Sequence, residues 1–166
     1  TGIHLGSYGN DVRRTISLLD ILASVNSIDG IERIRIGSLE PMDFSLDMVD
    51  SFSGYHKLMP HFHLPLQSGD DSTLERMRRR YTTEHYRNLV KRIRKNFSNA
   101  TITSDVMVGF PGETDKNFSN SLKFVKEMKF SQLHVFRYSP RQGTPAATFP
   151  NQIPGDVAAQ RSKAMS

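Results

Sequence analysis

Apolar positions recur along this chain with two periods, and the two alternate. Val12, Ile16, Leu19, Leu22 and Val25 fall at the spacing of one helix face. Residues 31–38, IERIRIGS, switch to period two, with Ile34 and Ile36 on one side and Arg33 and Arg35 on the other. A short helix is expected from Ser45, a ready N-cap, carrying Leu46, Val49 and Phe52. HFHLPLQSG, residues 61–69, predicts the next strand, with Phe62, Leu64 and Leu66 opposite His61, His63 and Gln67. Between Thr82 and Phe97 the stripe Tyr86, Leu89, Val90, Ile93 and Phe97 predicts a helix. TITSDVMVGF, from Thr101, is strand again. Residues 114–128 then read as a helix with Phe118, Leu122 and Val125 inward. Thr114 is its expected cap, and Asp115 sits in the first turn, where a negative charge suits the helix dipole. QLHVFRYS, residues 132–139, is the last strand. From Pro140 onward Pro, Gly and Thr accumulate, which predicts an extended arm leaving the domain.

Strand and helix alternating at this spacing imply βαβ units and a parallel sheet. An open doubly wound sheet and all or part of a (β/α) barrel both fit. In an open sheet both faces are covered by helices, and the strands are apolar nearly throughout. Here one strand face carries His61, His63 and Gln67, then Thr103 and Asp105, then His134 and Tyr138. A polar second face suits a barrel interior that holds water or a ligand. The fold class expected is therefore α/β, a partial (β/α) barrel of about four β/α units, too few to close.

The length, 166 residues, allows one domain with a real core, and no apolar run approaches a membrane span. Cysteine is absent, so the chain offers neither disulfides nor thiolate metal ligands. A cytoplasmic location is the expectation. The net charge of +5 is concentrated: nine basic side chains lie between Arg76 and Lys95. Such a block reads either as a solvated helix face or as an attraction for phosphate-rich partners. The chain opens at Thr1 with TGIHLGSYGND, which resembles the end of a strand begun upstream, as in a piece of a longer protein.

Ligands of parallel α/β folds sit at the carboxyl ends of strands. Those ends are Gly37-Ser38-Leu39-Glu40-Pro41, Gln67-Ser68-Gly69-Asp70, Gly109-Phe110-Pro111-Gly112-Glu113 and Tyr138-Ser139-Pro140-Arg141. Together they describe a polar, backbone-rich rim that fits a ligand with hydroxyl, amine and carboxylate groups. Each residue also has a plainer reading. Gln67 at a strand end reads equally as a loop cap; Asp105 needs donors or a cation, and a structural hydrogen bond meets that need as well as a ligand does. Gly109 and Gly112 serve turn chemistry equally well. His61 and His63 share a face as a metal pair would, or act as core or rim histidines. No nucleophile elbow, Walker loop or H-E-x-x-H is present.

Three stretches in order, HFHLPLQSGDDSTLERMRRRYTTEHY, SDVMVGFPGETDKNF and FRYSPRQGTPAA, resemble the radical S-adenosylmethionine (SAM) methylthiotransferases that modify tRNA. TGIHLGSYG, RIRIGSLEP and RRRYTTEHY resemble most the branch acting on N6-threonylcarbamoyladenosine next to the anticodon. The resemblance implies that residues 1–144 are the C-terminal portion of a radical SAM (β/α)6 barrel. Residues 145–166 would be the arm toward an RNA-binding domain beyond Ser166. It also implies SAM as cofactor, 4Fe–4S clusters held by cysteines outside this chain, and the tRNA anticodon stem-loop as partner, with no membrane. On this reading the fragment alone is inactive.

Carried over by position, the resemblance implies Gln67 on the SAM ribose, Arg79 near the methionyl carboxylate and Asp105 on the ribose or amino group. Ser38 falls where the methionyl part is contacted, and backbone atoms at Phe136 and Tyr138 where the adenine edge is read. Gly109 lies in the corner whose glycines allow close approach to adenine, with Pro111 fixing the turn. Glu113 is explained equally well as the start of a helix. The barrel that acts on a ribosomal protein, and the isopentenyladenosine branch, share much of this sequence. An ordinary barrel binding a phosphorylated metabolite and a non-catalytic RNA-binding module are the readings outside the family. An open barrel edge would also invite pairing with another copy.

Overall fold

A computed structural model of the protein describes residues 5–9 and 16–166. The elements run α1 (Leu18–Asn26), α2 (Leu46–Phe52), β1 (His61–His63), α3 (Asp71–Arg76), α4 (Thr83–Asn96), β2 (Thr101–Val108), α5 (Asp115–Met128), β3 (Gln132–Arg137) and α6 (Gly155–Met165). Leu5–Ser7 and Pro145–Thr148 are single 3₁₀ turns. Val12 and the strand end expected at residues 1–4 lie outside the described residues. β2 is the middle strand of a sheet ordered β1-β2-β3, and β1 pairs with it in parallel. By contact the chain divides into two compact units, 1–65 with 84–103, and 66–83 with 104–166.

In the first unit α1 starts at Ser17, whose N–H and hydroxyl both donate to the Asp20 carboxylate, at 2.6 and 2.8 Å. α2 starts at Ser45, whose hydroxyl accepts from the Met48 N–H at 3.1 Å. Residues 31–38, expected as a strand, are joined to their neighbour only by bridges, Ile34 to Leu58 and Ser38 to His63. Between those bridges the partner holds one residue more. Pro60 lies in that stretch and brings no N–H to a ladder, so regular pairing fails there. Beyond it His61, Phe62 and His63 stand opposite Thr101, Ile102 and Thr103.

An apolar core fills this unit. Leu39, Phe44, Val49, Phe52, Phe62, Leu64, Tyr86, Leu89 and Ile93 are fully buried. Phe44 meets Phe52 at 5.3 Å and Phe62 at 6.4 Å between ring centroids, and Phe62 meets Phe97 at 5.1 Å. The buried Tyr86 hydroxyl donates to the Leu64 carbonyl at 2.8 Å, so the polar tip of α4's stripe is satisfied. Asp50 on α2 accepts from Arg92 (2.6 Å) and Asn96 (2.7 Å) on α4. The bonds from Asn96 and Arg92 hold its carboxyl below the usual aspartate range.

In the second unit α5 begins at Thr114 as expected, its hydroxyl accepting from the Asn117 N–H at 3.2 Å. Its buried stripe differs from the expected one: Ser121, Phe124, Val125 and Met128 face inward, while Phe118 and Leu122 are only part-buried. The cause is Gly69. A Cβ there would stand 2.7 Å from Phe124 Cβ, and the Gly69 N–H donates to Ser121 Oγ at 2.9 Å. Small Ser121 is therefore turned toward the loop. Where an extended arm is expected, the chain forms the 3₁₀ turn and α6, which buries Ala158, Arg161 and Met165. The fold is a partial α/β barrel fragment with a small parallel sheet.

Candidate functional site

Most of the candidate residues lie in the second unit, and their placement starts at the end of β1's chain. Past Pro65 the ladder takes a bulge: the N–H groups of Leu66 (3.1 Å) and Gln67 (2.8 Å) both donate to the Asp105 carbonyl. Gln67 is left with φ of 62°, the left-handed region, which costs a side-chain-bearing residue about 1–2 kcal/mol. Three bonds hold it there. Ser104 Oγ accepts from the Leu66 N–H (3.1 Å), the Tyr81 hydroxyl donates to the Leu66 carbonyl (3.0 Å), and the Met107 N–H donates to the Gln67 carbonyl (2.8 Å). Strained backbone held in place by its surroundings clusters at functional sites, which keeps Gln67 a candidate.

α3 follows, capped by Asp70, whose carboxylate accepts from the Thr73 N–H and from Asn117 and Asn120 on α5. The helix closes in a Schellman turn, with Arg79 N–H to Leu74 carbonyl (2.9 Å) and Arg78 N–H to Glu75 carbonyl (2.8 Å). Arg78 takes the left-handed position at φ 56°, where glycine is usual. The result brings Arg76, Arg78 and Arg79 to a cavity of about 220 Å³. Gln67, Met107, Phe110 and the turn Thr144–Ala146 line it too. Arg76 bonds Thr73 (3.0 Å) and Asn117 (3.4 Å), yet its buried Nε has no partner.

A neighbouring cavity, about 420 Å³, runs along β3 and its exit, lined by Phe136, Arg137, Tyr138, Ser139 and Arg141. It shares Met107, Thr144 and Ala146 with the first. Tyr138 joins β2 through its N–H to the Val108 carbonyl (2.9 Å), and its ring meets Phe110 edge-on at 5.2 Å. Its hydroxyl is buried without a partner.

The glycine corner at the end of β2 has its own explanation. Gly109 (φ 75°) and Gly112 (φ 78°) are both left-handed. A Cβ on Gly109 would stand 2.8 Å from the Ala158 Cβ of α6, and one on Gly112 3.4 Å from Arg76 Nε. What approaches this backbone is the chain itself. Glu113 Oε1 accepts from the Gly109 N–H (3.0 Å) and from Arg161 (2.8 Å), and Arg161 also donates to the Glu113 carbonyl (2.9 Å) and to Asp115 (2.7 Å). Arg161 lies 5.5 Å over the Phe118 ring, a cation–π distance. Burial pushes the Glu113 carboxyl above the usual glutamate range despite the bonds from Gly109 and Arg161. Glu113 thus knots the corner to α6, and Thr114 with Asp115 starts the helix.

Among the expected residues, Gln67 and Arg79 share the first cavity, and Phe136 and Tyr138 share the second. Asp105 and Gly109 line neither; Asp105 shapes the Gln67 bulge through its carbonyl. Ser38 belongs to the first unit, where it bridges His63 and lines a separate cavity with His61 and His63. The histidine rings there are engaged by Arg35 (2.8 Å) and Thr103 (2.9 Å), and burial followed by the Arg35 charge lowers the His61 pKa. A guanidinium at that distance opposes cation binding. Sequence reasoning placed Arg76 only in the basic block and Phe110 only in the strand-end corner, and it missed Thr144–Ala146 and Arg161. Only Arg161 left a signal, as a central cation in the helical run DVAAQRSKAM.

Residues 5–125 match the Radical SAM superfamily. The tRNA-2-methylthio-N(6)-dimethylallyladenosine synthase of Pelotomaculum thermopropionicum is 42% identical over 99% of the chain, which covers 37% of that protein. The threonylcarbamoyladenosine tRNA methylthiotransferase MtaB of Bacillus subtilis is 40% identical over 97% of the chain and 36% of its own length. The chain thus spans just over a third of these relatives. Coproporphyrinogen III oxidase of Escherichia coli, a radical SAM enzyme, superposes with a TM-score of 0.62 at 20% identity over 80% of the chain and 30% of its own. The radical SAM methyltransferase TsrM of Kitasatospora setae does so with 0.63 at 16% identity over 78% and 26%. With parallel pairing, a polar strand face and a glycine corner at the end of β2, the chain belongs to the Radical SAM superfamily.

Proposed function

We propose that the protein of which this chain is part is a radical SAM transferase that adds a methylthio group to tRNA. The substrate position is C2 of N6-threonylcarbamoyladenosine next to the anticodon, and the protein works in the cytoplasm. The observation that carries the reading is identity near 40% along almost the whole chain with relatives named as tRNA methylthiotransferases. Among the described residues no helix is long and apolar enough to cross a membrane. The dimethylallyladenosine substrate is the second reading, favoured by the names of several relatives.

The residues present fit SAM in chemistry. Gln67 is a donor and acceptor suited to ribose hydroxyls, held in a strained position by its own network. Arg79 beside it suits the methionyl carboxylate. Asp105 is the acid for the ribose or amino group. Backbone groups at Phe136 and Tyr138 would read the adenine edge, and the Tyr138 hydroxyl still needs a partner. Gly109 contributes through the shape of the corner. When bound, SAM supplies both radical and methyl chemistry, while these side chains bind and orient it.

A 4Fe–4S cluster does not fit the residues of this chain. It contains no cysteine, and among the described residues no group of three His, Asp or Glu side chains could hold a metal. We assign its ligands to the remainder of the protein, and this chain alone is expected to be inactive. The test is nucleoside analysis of tRNA incubated with the whole protein, SAM, a sulfur source and a reductant. A methylthio product on the threonylcarbamoyl nucleoside supports the first reading, and one on the dimethylallyl nucleoside replaces it with the second. Unchanged tRNA from a protein that binds its cofactors overturns both.

A further inference from the structure

We propose that Arg78 sets substrate specificity, its guanidinium pairing with the carboxylate of the N6-threonylcarbamoyl group on the substrate adenine. The inference rests on the tRNA-modifying reading above and names the residue that separates its two substrates. A threonylcarbamoyl substituent ends in a carboxylate, whereas a dimethylallyl substituent is an uncharged hydrocarbon. Arg78 sits in the Schellman turn after α3 at φ 56°, where glycine fits without strain. Its backbone N–H serves the turn by donating to the Glu75 carbonyl at 2.8 Å, a bond that glycine would supply as well. The turn therefore has no use for the side chain. That side chain is exposed, borders the cavity of about 220 Å³, and has no ion-pair or hydrogen-bond partner among the described residues. Side-chain-bearing residues kept in the left-handed region gather at ligand clamps.

Charge points to what the clamp takes. Three guanidiniums border this cavity and no acidic side chain does. Arg76 is bonded to Thr73 and Asn117, and its charge acts on Glu113. Arg79 is assigned to the methionyl carboxylate, the one anionic group of SAM. Arg78 then remains uncompensated beside a ligand whose sulfonium and ammonium outweigh its carboxylate, so the balancing anion comes from the substrate. Met77, Met107, Phe110 and Phe149 give the cavity apolar walls, which suit a purine with a short substituent better than a hydrated phosphodiester. A guanidinium fork binds a carboxylate through two parallel hydrogen bonds. A dimethylallyl group offers that fork nothing, and a site built around such a bond rejects the analogue that lacks it.

The experiment uses the full-length protein with its clusters and SAM, and four anticodon stem-loop hairpins. Their target adenine carries threonylcarbamoyl, its methyl ester, dimethylallyl or no N6 substituent. Hairpin affinity is read by anisotropy, SAM affinity by equilibrium dialysis and folding by thermal unfolding. The parent is expected to bind the free acid about ten-fold or more tighter than the ester. Arg78→Gly should lose that preference, with SAM affinity unchanged and an unfolding temperature near the parent's, since glycine suits the turn. Arg78→Lys, which keeps the charge without the fork, should retain part of the preference. Equal binding of acid and ester by the parent, or a preference that survives in Arg78→Gly, overturns the assignment. An equal loss across all four hairpins in Arg78→Gly also overturns it and identifies a backbone phosphate contact instead. A parent that binds SAM but none of the hairpins defeats the tRNA reading itself, which is a separate outcome.

Discussion

Gln67 is the residue on which geometry and expected chemistry meet most closely. Its left-handed backbone favours glycine, so Gln67→Gly should relieve strain while adding chain entropy, leaving stability within about 1 kcal/mol of the parent. SAM affinity should nevertheless fall at least ten-fold, as thermal unfolding and equilibrium dialysis on the same samples would show. Tyr81→Phe, which removes the hydroxyl on the Leu66 carbonyl, should cost about 1 kcal/mol in urea denaturation. Gly109→Ala should cost about 1–3 kcal/mol, because its φ of 75° and the 2.8 Å approach of Ala158 leave no room for a methyl group. The strand-end polar groups were legible in the sequence, since period-two patterning places Gln67 and the glycine corner at carboxyl ends. Gln67's strain was not, because it arises from a bulge set by two N–H groups converging on one carbonyl. Nor was Ala158 against Gly109, a contact between residues far apart in the chain.

At the scale of elements, α6 is the main departure from expectation. Pro, Gly and Thr up to Pro154 obscured a helix whose decisive residue, Arg161, acts at a distance on the corner after β2. Arg161→Met should cost about 3–5 kcal/mol in chemical denaturation near neutral pH, since it leaves Glu113 buried without its cation. Glu113 also sets a pH dependence. Its folded pKa is raised, so its favourable contribution is full below the ordinary value of 4.5 and is lost as pH rises through the folded value. Glu113→Gln should flatten that decline, and Arg161→Met should steepen it, in denaturation curves taken from pH 4 to 8. The helices α2 and α5 were legible because cap and stripe agreed, and α4 from its stripe alone; α5's face was misjudged by the space that Gly69 leaves for Ser121 and Phe124. Residues 31–38 kept their alternation but not their ladder, since Pro60 offers no N–H.

For the whole molecule, the polar face of the strands was the feature that distinguished a barrel fragment from an open sheet, and the parallel pairing and radical SAM neighbours agree with it. The chain spans 37% of the length of the Pelotomaculum thermopropionicum relative, so the account of the whole protein is a proposal. The division of labour expected is that this portion binds and orients SAM, while the cluster is held elsewhere. The central claim is that SAM is held by Gln67 and Asp105 for radical chemistry. It is tested most directly by reconstituting the full-length protein anaerobically with iron and sulfide, reducing it, adding SAM, and measuring 5′-deoxyadenosine. The account predicts product from the parent and at least a ten-fold loss in Asp105→Ala and Gln67→Ala with cluster content unchanged. No product from a parent with its clusters in place, or full product from both variants, would contradict it.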